Sequence, residues 1–113
     1  MTAELIVLEG LKKALPVPVS MERHGGERGD FVLIERVGGS KEIGIERASF
    51  AIQSYSDSMN GACKLNEKVR AAMLDLINDS HVSRVDLDSD YNYTDTTTKK
   101  YRYQGVYDLV FFS

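Results

Sequence analysis

The stretch ASFAIQSYSDSMNGACKLNEKVRAAMLDLIN, Ala48 to Asn78, decides how the chain folds, because an alternating segment runs directly into a helical one. From Ala48 to Tyr55 the residues alternate: Ala48, Phe50 and Ile52 fall on one side of an extended strand, and Ala51, Gln53 and Tyr55 on the other. Ser56 or Asp57 then offers a side-chain oxygen to cap a helix. Beyond them the apolar positions become Ala62, Leu65, Val69, Ala72, Met73 and Leu76, and steps of three and four make one helical stripe. A helix of about 20 residues is ~30 Å long, enough to cross several strands of a small sheet.

Upstream, Thr2 to Leu15 predicts a first helix with Thr2 as its cap and Leu5, Leu8, Leu11 and Leu15 on one side. Pro16 and Pro18 lack a backbone donor and bias the preceding residue toward extended geometry, so the helix stops by Leu15. Val19 to Arg23 reads as an edge strand, and His24 to Asp30, with three glycines, as a mobile loop. Phe31 to Val37 is β-branched and aromatic and predicts a strand closed by Gly38-Gly39-Ser40. Ile43, Ile45 and Arg47 alternate out of phase with Phe50 and Ile52, which a bulge near Arg47 reconciles.

Downstream, Val82 to Tyr91 reads as a strand with Val85 and Leu87 inward and Arg84, Asp86 and Asp88 outward. The polar run Thr94 to Lys100 separates it from a last strand, Tyr101 to Phe112. There Tyr101, Tyr103, Tyr107, Leu109 and Phe111 form the expected core face. The other face keeps Val106, Val110 and Phe112, more apolar surface than a solvated face needs, and marks a candidate subunit interface.

The order α-β-β-β-α-β-β predicts an α+β fold, a mainly antiparallel sheet with two helices packed on one face. With 113 residues, 42% hydrophobic and 27% charged, the chain is expected to form a single domain, residues 1–113, with a core needing no staple. A net charge of −3 argues against a nonspecific nucleic-acid binder. No stretch approaches the ~18 apolar residues of a membrane span, so no membrane partner is expected. Cys63, the only cysteine, reads as a small buried thiol and fits a reducing compartment.

Chemical motifs are weak throughout. Asp86, Asp88 and Asp90 imitate the opening of a calcium loop, yet Tyr91 stands where glycine is needed and Thr97 where the bidentate glutamate belongs. His24 and His81 lack zinc-ligand spacing, and Gly25, Gly26 and Gly29 lack the spacing of a nucleotide-binding loop. Cys63 could act as a nucleophile only beside a base such as His81. No catalytic, cofactor or metal residues are assigned, and no enzyme activity is expected.

The order as a whole resembles the small bacteriophage tail-terminator and tail-completion proteins, also called minor tail or head-tail joining proteins. The likeness is carried by the opening helix followed by PVPVSMERHGGERGDFVLIERVGGS, then RASFAIQSYSDSMNGACKLNEKVRAAMLDL, then VSRVDLDSDYNYTD and YRYQGVYDLVF. It covers nearly the full chain through order and spacing, without a single diagnostic motif, and the polar Ser54-Tyr55 and Asn60-Gly61 depart from the pattern.

The resemblance implies a structural virion protein, a homo-oligomeric ring of six subunits at the head-proximal end of the tail, assembled in the host cytoplasm. Such a ring stops polymerisation of the tail tube protein and docks the head-tail connector proteins, with DNA only as passing cargo. The loop residues expected to meet partners are His24, Gly25, Gly26, Glu27, Arg28, Gly29, Thr96, Thr97, Thr98, Lys99 and Lys100. A connector or neck protein of the same particle is the nearest alternative, and a small cytosolic enzyme or ligand-binding protein a more distant one.

Overall fold

The computed structural model describes residues 2–22, 29–94 and 100–112. Helix α1 (Ala3–Ala14) leads through β1 (Val19–Ser20) to β2 (Phe31–Glu42) and β3 (Ile45–Ser56). Helix α2 (Met59–Asp75), tightened into a 3-10 turn at Leu76–Asn78, connects to β4 (Val82–Asn92) and β5 (Tyr101–Phe112). The five strands lie in the order β1-β2-β3-β5-β4, with β1 parallel to β2 and every other pair antiparallel. The fold is α+β in the expected element order.

Both helices sit on one face of the sheet. Thr2 caps α1 by accepting from the Leu5 backbone N–H at 3.2 Å. The cap of α2 is Ser58, which accepts from Gly61, not Ser56 or Asp57. Ser56, close against Gly61, donates to the Asp30 carboxylate at 2.8 Å rather than capping the helix. The stripe of α2 lies as its spacing predicts, with Ala62, Leu65, Val69, Met73 and Leu76 buried and Ala72 at the margin. Against it pack Ala48, Phe50 and Ile52 of β3, the expected inward set, and Tyr107, Leu109 and Phe111 of β5, whereas Tyr101 and Tyr103, expected on the same core face, are only partly buried and lie outside the core cluster.

Four expectations are corrected. Helix α1 buries Ala3, Ile6, Val7 and Leu11, while Leu5 remains 40% exposed and Leu8 lies at the edge of the core. Two apolar stripes run along this helix, and leucine spacing alone cannot choose between them. Strand β1 covers only Val19 and Ser20, and Arg23 lies outside the described residues. Gly38-Gly39-Ser40 does not close β2: the strand continues to Glu42 and turns at Ile43-Gly44, with Gly44 at φ +83°. Gly39 serves instead as a close crossing, since a Cβ there would stand 2.5 Å from the Arg47 carbonyl oxygen. Finally, the bulge falls between Arg36 and Gly38 rather than near Arg47, so the phase change is absorbed on β2, opposite β3.

Strand β4 shifts register twice, between Val82 and Arg84 and between Leu87 and Ser89, and the latter bulge splits its three aspartates. Asp86 stands opposite Asp108 on the face away from the helices. Asp90 turns under α2, accepting from Asn66 at 2.6 Å and from the Arg70 guanidinium at 2.7 Å. Carboxylates on opposite faces of a strand cannot share one cation.

Beside that Asp90 cluster the Tyr107 hydroxyl is fully buried and has no hydrogen-bond partner among the described residues. Burial, reinforced by the Asp90 carboxylate and opposed by Arg70, pushes its pKa up to about 12 from an ordinary 10. Below pH 10 the phenol is neutral whether the chain is folded or not. Between about 10 and 12 the unfolded chain ionises first, so stability is expected to fall across that window. Denaturant midpoints measured through this range should decline, and Tyr107→Phe should remove that part of the decline while leaving stability at neutral pH unchanged or slightly higher.

Candidate interaction surface

Among the described residues no helix covers the other face of the sheet, and at one end that face closes over itself with its own long side chains. Phe31 of β2 and Tyr55 of β3 stack with ring centres 4.4 Å apart, Lys100 sits 5.4 Å over the Phe31 ring, and the Arg102 guanidinium lies between Tyr55 and Tyr93. Beneath the rings runs a one-directional chain of hydrogen bonds. Arg102 donates to the Tyr55 hydroxyl, Tyr55 to Gln53, Gln53 to Gln104, and Gln104 to the Tyr91 hydroxyl. Gln53 is only 7% exposed and Gln104 only 9%. Each bond polarises the next, and removing a member orphans its neighbours. Gln53→Leu is therefore expected to lower stability by about 1–3 kcal/mol, because the Tyr55 hydroxyl loses its Gln53 acceptor and the Gln104 side-chain carbonyl its Gln53 donor, read as a shift in the denaturant midpoint.

This network was not foreseen from the sequence. Gln53 and Gln104 meet only because β3 and β5 pair across 51 positions of chain, and no local spacing announces that.

Toward the opposite end the same face is open. Val110 and Phe112 lie on it, as expected, with Phe112 59% exposed directly opposite Ile45 of β3. Val106 shares the face but is set apart, opposite Ala51 in mid-sheet and partly covered. Around Val110 a shallow cleft of about 240 Å³ is rimmed by Arg47, Arg84, Asp86 and Asp108. Arg84 pairs with Asp86 at 2.6 Å and Ser49 donates to Asp108 at 2.5 Å, so three of the four rim charges are held in place.

Of the loop residues, Gly29 (φ +71°) and Lys100 are described, and both stand at the Phe31–Tyr55 end. His24, Gly25, Gly26, Glu27 and Arg28 of the first loop, and Thr96, Thr97, Thr98 and Lys99 of the second, lie outside the described residues. The loop anchors and the apolar row thus occupy opposite ends of a body 44 Å long and 24 × 23 Å across.

Other groups with chemical potential are dispersed. Cys63 is partly exposed at the start of α2, not buried, and lies beside Tyr103. The Cys63 thiol, together with desolvation and Asp90, raises the Tyr103 hydroxyl above the usual phenol range. His81 stands at the far end of the β4–β5 hairpin, its backbone carbonyl accepting from Phe112, so it cannot serve Cys63 as a base. The backbone N–H and ring of His81 bind Asp79, whose carboxyl is held below its usual range. This pair borders a cleft of about 440 Å³ between α1 and the end of α2, where Glu9, Lys13 and Asp75 are dispersed around an open mouth. Among the described residues no three His, Cys, Asp or Glu side chains gather as they would around a metal ion, and no helix is long and apolar enough to cross a membrane.

No protein-family model matches the chain, and no curated protein sequence matches it.

Proposed function

We propose that this chain is a structural subunit of a phage tail, forming a six-membered ring that caps the head-proximal end of the tail tube and offers the docking surface for the head. The observation that carries the reading is the division of the body into two chemically different ends, joined by a rigid one-sided sheet. A cap must bind the tube through one surface and present another that the tube protein does not recognise, while its flanks meet identical neighbours. Gly29 and Lys100, the described residues of the glycine- and threonine-rich loops, stand at one end and offer partner contacts there. The open row of Val110, Phe112 and Ile45, with Val106 further along, supplies apolar surface for a neighbouring subunit. The task is geometric, and no acid-base step or metal enters it. An acidic chain of net charge −3 also suits a channel through which DNA passes without adhering.

Loss of the protein is expected to leave heads and tails unjoined, with tails abnormally long or irregular at the head-proximal end, when lysates are viewed by electron microscopy. Tails of normal length that lack heads would favour the neck-protein reading of the same particle. Normal joined particles would exclude both.

A further inference from the structure

The outer part of the β2–β3 hairpin forms an arm at the corner of the sheet, flanked by β5 on its β3 side up to Ile45 and open on its β2 side beyond the short β1. From Glu35 to Ile45 every residue of it is exposed, and its two-residue turn places Ile43 at the tip with a relative exposure of 104%. Two-residue hairpin turns favour Asn, Asp or Gly. An isoleucine there covers nothing in its own subunit and presents apolar surface at the furthest point of the arm. At the other end of the same sheet edge, a groove of about 220 Å³ lies between α1 and β1, floored by Leu8, Val19 and Met21 and flanked by Lys12 and Glu22. Leu5 continues this apolar side of α1, which the core leaves uncovered.

We infer that Ile43 of one subunit seats in the Leu8–Val19–Met21 groove of the next copy of this chain. The knob cannot reach its own groove: β1 pairs with β2 at Val32 and Leu33, ten residues from Ile43, which places the tip roughly 33 Å away along the strand. Charge matches as well. The arm carries Lys41 and Glu42 immediately before its tip, and the groove carries Lys12 and Glu22, so each cation can face the neighbour's anion. One knob and one groove per subunit make a head-to-tail contact, the kind that closes into a ring when the rotation permits. The inference rests on the ring reading for its choice of a second copy as the occupant, and it assigns that ring a further contact at the hairpin tip, next to Ile45 of the Val110–Phe112 row.

Sedimentation velocity on the full chain across a concentration series tests it, with circular dichroism confirming that each variant is folded. The wild type is expected to associate. Ile43→Asp, at an exposed turn, should fold normally and weaken association on the order of tenfold to a hundredfold, the usual consequence of losing one buried aliphatic side chain. Glu22→Lys should also weaken it, and Glu22→Lys combined with Lys41→Glu should recover part of the loss. Association of Ile43→Asp equal to wild type would overturn the contact while leaving the ring reading intact. A wild-type chain that stays monomeric throughout would overturn it too, and the ring reading would then rest on the tail phenotype alone.

Discussion

Val69→Asp is expected to abolish the cooperative thermal transition. Val69 lies fully buried at the middle of α2, within the cluster that joins both helices to β3 and β5. A carboxylate at that point has no cation or donor prepared for it, and burying it, charged or neutral, costs several kcal/mol. The whole stability of a domain this size is ~5–15 kcal/mol. Leu65→Asp, one turn earlier and 3% exposed, should behave alike. Lys68→Asp, adjacent in sequence but on the exposed side of α2, should stay within about 0.5 kcal/mol of wild type. Circular dichroism melts of the three variants decide the matter: a wild-type-like transition for Val69→Asp and Leu65→Asp would mean that α2 does not present this stripe to the sheet.

The contrast between α2 and α1 explains how far sequence patterning reached. In α2 most apolar residues fall on one stripe, with Leu74 the exposed exception, and the opposite side is charged, so its period specifies one buried face. In α1, Ile6, Val7 and Leu11 compete with Leu5 and Leu8, and which stripe is covered depends on where α2 lies, information the local pattern does not hold. The glycines of β2 show the same limit. Gly38-Gly39 looks like a turn, yet Gly39 is needed because the strands approach closely at Arg47, a tertiary requirement that mimics a local one. For the candidate surface, alternation along β5 sufficed to place Val110 and Phe112 on the outer face. The relay from Arg102 to Tyr91 depended on the β3–β5 and β4–β5 registers and left no trace in any single segment.

The second large effect concerns the proposed cap itself. A tube grown by repeated addition of one subunit keeps offering the same end, and a ring that covers this end while presenting a different outer face stops growth without turnover. Each tail then retains one ring. Supply of the protein should therefore limit the number of finished particles in direct proportion, a relation that a catalyst would not produce. Variants that disable the arm or the open row should act as a reduced supply does.

The most direct measurement is complementation of a phage lacking this chain with graded amounts of the protein, counting joined particles and tail lengths by electron microscopy and infectious particles by plating. The account predicts that normal joined tails rise linearly with supply and saturate near one ring of six subunits per tail. Full yields of normal joined tails at a small fraction of one ring per particle would contradict it.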